Sequence, residues 1–303
     1  MATANSVIPL GRFRRQAAAI FEMCRSVGLR PAAERVTNYF RARTTEYSRA
    51  KQFKRLGLTG IQTRRILGSK MKLDPAEQGL DRDLLLDGIR EPVATGHILS
   101  ILGEEDVVLE VGANIGYYAL IESRICKKIY AAEPHPRNFQ RLQENISRNL
   151  RTNIEAHNIA FGQADGPIFL ACSSLSNWHS CKNVDASDTN TIEIAGFKID
   201  SFFEEREAPT FIKMDVEGYE LEVLRGARKT LARANHLFLE IHGDILSENE
   251  IRECLDMIAE SGLAPSLIVQ YDRPGMSKIY PNEYLKNIYA GDRGTFELFF
   301  ERP

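Results

Sequence analysis

From residue 91 to the C-terminus, short apolar runs of strand length alternate with amphipathic stretches of helix length, joined by brief turns. This rhythm constrains the fold more than any other feature, because parallel strands need crossovers and each crossover helix must bury an apolar stripe on the sheet. The strand candidates are residues 107–111, 128–132, 154–159, 167–171, 211–214, 237–241, 266–271 and 295–300. A short helix is expected after Pro92, with Ile98 and Leu102 on its apolar face, closed by Gly103. Pro136 opens a longer one with Phe139, Leu142, Ile146 and Leu150 on one face, and another is expected over 219–234. Ser247 and Glu250 form a capping box for a last helix ending near Gly262. A mostly parallel sheet with helices on both faces follows, and ligands of such sheets sit beyond the carboxyl ends of the strands.

Two stretches depart from the alternation. Residues 173–190 are polar, hold the only tryptophan, Trp178, beside His179, and read as a long loop that shapes a substrate pocket. Residues 1–75 carry 16 Lys and Arg against 4 acids, so the net charge of −2 conceals a strongly basic segment. Pro31 suits a first helical turn there, and Val36, Tyr39, Phe40, Tyr47, Ala50, Phe53 and Leu56 approximate one apolar face. The chain is expected to divide into a basic, mainly helical segment at 1–75 and an α/β domain at 76–303.

Composition excludes other classes: 43% hydrophobic and 26% charged residues fit a globular chain, not a disordered, collagenous or membrane-spanning one. The five cysteines include no CxxC pair and read as free thiols. With no signal-like apolar run at the start, a cytoplasmic location is expected, and the basic helices are compatible with peripheral contact to an anionic membrane.

Chemistry enters where strands end. Glu110-Val111-Gly112-Ala113-Asn114-Ile115-Gly116 follows the first central strand, and its glycines allow a tight turn with close backbone approach to a ligand. Glu133 ends the next strand, 23 residues on, where an acid can accept both hydroxyls of a ribose. The dinucleotide spacing G-x-G-x-x-G is absent, and an acid ahead of the glycines would repel a pyrophosphate. It suits a cationic amino group, and S-adenosylmethionine joins such a group to an adenosine.

At this point the chain resembles class I S-adenosylmethionine-dependent methyltransferases and, more narrowly, the FkbM family. The carrying stretches are LEVGANIGYYAL (109–120), AAEPHPRNFQRLQEN (131–145), HNIAFGQADG (157–166), FIKMDVEGYELEVLRGA (211–227) and LEIH (239–242). Together they cover about residues 70–303. The resemblance implies a Rossmann-like α/β fold, a mostly parallel seven-stranded sheet with helices on both faces. It also implies that Glu110 faces the methionine amino group, that Gly112, Ala113, Asn114 and Gly116 pass beneath S-adenosylmethionine, that Glu133 holds the ribose, and that Asn158 and Ala160 flank the adenine.

Methyl transfer is an in-line displacement, so the protein aligns the acceptor and removes its proton. Asp215, Glu217, Glu240 and His242 lie just beyond adjacent strand ends and are the candidates for that work, His242 first because free imidazole titrates near neutrality. These groups could also hold Mg²⁺, but no Asp-Asp or Asp-Asn pair marks a metal site, and no metal ligand is assigned. No Asn-Pro-Pro-Tyr or Pro-Cys motif of base methylation is present. A hydroxyl of a sugar, glycolipid or other small metabolite is therefore the expected acceptor, as is typical of FkbM-like enzymes. Nucleic-acid methylation through the basic segment, or a cofactor-binding scaffold without catalysis, remain open, as do the oligomeric state and a polyanionic partner for residues 1–75.

Overall fold

Strand β3 (Val107–Val111) shows why the sheet forms where it does: all five residues are buried, so the strand must be covered on both faces. The computed structural model describes residues 48–172, 181, 190–273 and 276–303. The chain divides into two units, Met1–Leu58 and Thr59–Pro303. In the first, residues 48–55 are helical, while Pro31, Val36, Tyr39, Phe40 and Tyr47, like Trp178 and His179, lie outside the described residues. Among the described residues no helix is long and apolar enough to cross a membrane.

The second unit begins with a β-hairpin, β1 (Gln62–Ile66) and β2 (Ser69–Leu73), where the charge pattern suggested more of the basic helical segment. Its position is fixed by side chains. Ile66, Met71 and Leu73 are buried in the core, and Asn145 of the helix Pro136–Arg148 and its C-cap Asn149 accept from the backbone amides of Lys72 and Lys70. The hairpin thus belongs with the α/β unit, and the division falls at Leu58/Thr59 instead of near residue 75.

After β3 come β4 (Lys128–Ala132) and β5 (Ile154–His157), all parallel. A small side sheet follows from β6 (Ala160–Phe161), β7 (Gly166–Ala171) and β8 (Thr191–Phe197), and the chain returns through β9 (Phe211–Met214) and β10 (His236–His242). The last strands are β11 (Ala264–Arg273), β12 (Met276–Tyr280) and β13 (Thr295–Glu301). The main sheet runs β12-β11-β13-β10-β9-β3-β4-β5, with β13 antiparallel to both its neighbours. Seven strands match the expected sheet, and β12 adds an eighth as an antiparallel edge on β11. Successive strand residues feed two cores, one on each face: Leu237, Leu239 and Ile241 pack on one side, Phe238 on the other.

Three local expectations change for identifiable reasons. The helix expected over 219–234 forms as two short pieces, Glu220–Arg225 and Arg228–Leu231. Gly226 separates them, with the Gly162 carbonyl so near that a Cβ would lie 2.0 Å from its oxygen. Leu150 falls beyond its helix, with φ +53° and 87% exposure, and does not join the apolar face. The strand expected at 154–159 splits, since β5 ends at His157 and Ala160–Phe161 pair with β8 in the side sheet. The capping box of Ser247 and Glu250 is present as read.

Candidate active site

Strand order reverses beside β3: β4 and β5 lie to one side and β9 and β10 to the other, so the crevice of the sheet opens at the carboxyl ends of β3 and β9. A cavity of about 560 Å³ occupies this place. It is lined at one end by Glu110, Gly112, Ala113, Asn114, Glu133 and Ala160, and at the other by Asp215, Glu217, Glu240 and His242. Two clusters more than 50 residues apart in sequence therefore open into one space.

The glycine turn fits this location closely. Gly112 has φ +87°, and a Cβ there would lie 2.0 Å from the Asp215 carbonyl oxygen, so only glycine lets the ends of β3 and β9 approach. Asn114 takes φ +49° and donates its backbone N–H to Glu133 Oε2 at 2.8 Å. Glu133 Oε1 accepts from the His135 amide at 2.9 Å. Burial pushes the Glu133 carboxyl up to about 7 despite these bonds. Asn145, fully buried, donates to the Ile115 carbonyl at 2.9 Å while accepting from Lys72, tying the turn to the hairpin.

Asn158 does not line the cavity: its Nδ2 donates to the carbonyls of Glu133 and Pro134 at 2.8 Å each, so it braces the turn that carries Glu133. Ile159, Ala160 and Phe161 form the apolar wall at that position. Gly116 lies at the rear of the turn, with φ +89° and Leu142 against it, and is not part of the lining.

Glu110 is 1% exposed and faces Lys213 Nζ at 3.8 Å. Glu122 lies against it, and burial together with the Glu110 charge holds the Glu122 carboxyl far above the usual range. Burial opposes the charge on Lys213, but Glu110, Asp215 and Glu91 outweigh it and keep the ammonium protonated. Its Nζ also sits 4.6 Å from the Tyr118 ring centroid.

At the opposite end, His242 is enclosed by carboxylates. Its Nδ1 meets Glu220 Oε1 at 2.7 Å, and its Nε2 lies 3.2 Å from Glu217 Oε2 and 3.7 Å from Glu240 Oε1. Burial alone would lower the imidazole, yet the Glu220 hydrogen bond and the Glu240, Glu220 and Glu217 charges raise it to about 11. The near-neutral titration that favoured His242 as proton acceptor is therefore lost in these surroundings. Burial and Asp215 push Glu217 up to about 8, and its backbone is held at φ +52°, a strained conformation for a glutamate. Donor atoms of Asp215, Glu240 and His242 all lie within 4.8 Å of one another, although no acidic pair in the sequence announced such a cluster.

Several residues of the site escaped the sequence reading. Lys213 stands inside the fully buried strand β9, and a lysine in an apolar strand was itself the available signal, since a buried ammonium needs an acid opposite. Glu220 had the look of an ordinary first-turn glutamate. Arg90 and Glu91 lie at the start of the alternating pattern, ahead of any strand end; Arg90 pairs with Asp83 at 2.7 Å and Glu91 at 2.6 Å, and Glu91 accepts from Tyr118.

A strand order of five parallel strands followed by an antiparallel β13 inserted beside β10, with a glycine turn after the central strand, defines the class I methyltransferase fold. The family model described as the methyltransferase FkbM domain matches residues 110–262, half of the chain, and the chain belongs to that family. It is 35% identical over 145 residues to hexuronic acid methyltransferase AglP of Haloferax volcanii, covering 47% of this chain and 58% of that protein. It is 24% identical over 213 residues to 2-O-methyltransferase NoeI of Sinorhizobium fredii, covering 62% and 85%. A crystal structure of methyltransferase FkbM from Methylobacillus flagellatus KT aligns with a TM-score of 0.45 at 21% identity, covering 66% of this chain and 44% of that one. The chain spans 58% to 63% of the length of three of its curated relatives.

Proposed function

We propose that this protein is an S-adenosylmethionine-dependent O-methyltransferase acting on a sugar hydroxyl. The observation that carries the reading is the single cavity into which the Glu110–Glu133 end and the Asp215–His242 end both open. The methyl donor, as co-substrate, lies with its ribose hydroxyls on Glu133 and its amino group toward Glu110, while the adenine rests on Ile159, Ala160 and Phe161. Gly112, Ala113 and Asn114 pass beneath it, with Gly116 and Asn158 bracing the turn. The sulfonium then faces the Asp215–Glu217 end.

An acceptor hydroxyl placed there gives its proton to Glu217, whose carboxyl near 8 is matched to the task. The oxygen lone pair forms the O–CH₃ bond, and the electrons of the breaking C–S bond return to sulfur. Asp215, Glu240 and His242 form the polar wall of the acceptor end beside Glu217. A sugar acceptor is supported by two relatives, a hexuronic acid methyltransferase and a 2-O-methyltransferase by name. The basic N-terminal segment is read as a surface for an anionic glycan or membrane, outside the chemistry.

Calorimetry tests the donor assignment. S-adenosylmethionine or its demethylated product should bind one per chain and NAD should not. Binding of NAD in preference would remove the reading.

A further inference from the structure

We propose that Asp215, Glu240 and His242 form a binding site for one divalent cation of the first transition row, with Mn²⁺ the reference ion. The donor atoms come from two adjacent strand ends, β9 and β10, and already lie within 4.8 Å of one another. Bonds of about 2.1 Å place neighbouring donors about 3 to 4.2 Å apart, so the donors need only draw together by side-chain adjustment to close on an ion. A mixed carboxylate and imidazole set suits Mn²⁺ better than the all-oxygen shell preferred by Mg²⁺.

Two further observations point to a missing cation. Glu220, fully buried, holds His242 Nδ1 at 2.7 Å, which turns Nε2 toward the acids; a carboxylate behind the imidazole is the usual outer support of a ligating histidine. Asp215 Oδ1, one of the proposed ligand atoms, is buried with no hydrogen-bond partner among the described residues. Glu217, Glu220 and Glu240 all crowd the same imidazole, so acidic side chains converge on one ring. An ion between Asp215, Glu240 and Nε2 would displace the Nε2 proton to solvent and leave coordination positions open toward the cavity. In the proposed function an acceptor hydroxyl would take one, becoming more acidic there before Glu217 accepts its proton; this part rests on that reading, whereas ion binding does not.

The test uses full-length protein stripped with chelator, titrated with Mn²⁺ by equilibrium dialysis, with pulsed electron paramagnetic resonance on the bound ion. One Mn²⁺ per chain is expected, with nitrogen modulation from one imidazole. D215N, E240Q and H242A should each weaken binding at least tenfold, H242A should abolish the nitrogen signal, and E220Q should weaken binding with the signal retained. Unchanged melting of E240Q and D215N separates ion loss from misfolding. No Mn²⁺ bound at 1 mM free ion, or binding indifferent to all three ligand variants, overturns the proposal. S-adenosylmethionine titrated in EDTA separates the two readings: donor binding without Mn²⁺ binding sinks only the ion site, and Mn²⁺ binding without donor binding sinks the methyltransferase reading.

Discussion

Replacing Glu133 by Gln tests the donor end of the cavity without changing its shape. The carboxylate already accepts from the Asn114 and His135 amides, one on each oxygen, and from the Asn138 side chain, and the acceptor capacity left over is what a ribose can use. Gln keeps one acceptor oxygen and turns the other into a donor, so one charge-assisted ribose bond is lost, worth roughly 1.5 to 3 kcal/mol. That is about 12- to 150-fold in the dissociation constant for S-adenosylmethionine measured by calorimetry at pH 8. The carboxyl titrates near 7 in the unliganded protein, so donor affinity in the wild type should fall as pH drops through 7, and the E133Q profile should be flat. The sign for stability is opposite. A carboxyl raised above its ordinary value binds its proton more readily when folded, so the unliganded protein loses stability from this group as pH rises from about 4.5 to 7. E133Q should therefore melt no more than a few degrees below wild type at pH 8, which separates weak binding from misfolding. Affinity within twofold of wild type, or a wild-type affinity constant between pH 8 and 5.5, would refute the assignment.

Other substitutions probe the rest of the site. E217Q should lower kcat by about 10² to 10⁴ while donor affinity stays within twofold, and unchanged turnover would remove Glu217 as the base. K213M leaves Glu110 buried opposite no cation and should cost about 3 to 5 kcal/mol in denaturant unfolding, with E110Q/K213M recovering much of it; equal stability of the two variants would contradict the pairing. A chain starting at Thr59 should fold and bind the donor, whereas one starting at Asp74 exposes the sites of Ile66, Met71 and Leu73, each worth roughly 1.5 to 3 kcal/mol, and should lose both properties by circular dichroism and calorimetry. Equal behaviour of the two chains would contradict the role given to the hairpin.

Much of the architecture was legible because it rests on local pattern. Runs such as Val107–Val111 and Phe211–Met214 are too apolar for anything but buried strands, and Pro136 and the Ser247–Glu250 pair mark helix starts by capping chemistry. The hairpin β1–β2 was hidden because its outer face is basic: the charges of Arg64, Arg65 and Lys70 read as a helix surface, while Ile66, Met71 and Leu73 are too few to show a period. At the site, ten of the residues announced by strand ends line one cavity and Gly116 and Asn158 do not, but what surrounds them was not predictable. The fate of His242 depends on Glu220, Glu217 and Glu240 converging from two elements, and the support of the glycine turn depends on Asn145 reaching across from a helix. Such contacts follow from tertiary packing and leave no trace in spacing.

The most direct measurement is transfer of labelled methyl from S-adenosylmethionine to a panel of hexuronic-acid and neutral glycans, followed by alkaline treatment of the product. The account predicts label that survives alkali, as an ether O–CH₃ does, and that disappears with E217Q. Label released by alkali would mean a carboxyl methyl ester, and no label on any glycan from protein that binds the donor would contradict methylation of a sugar hydroxyl.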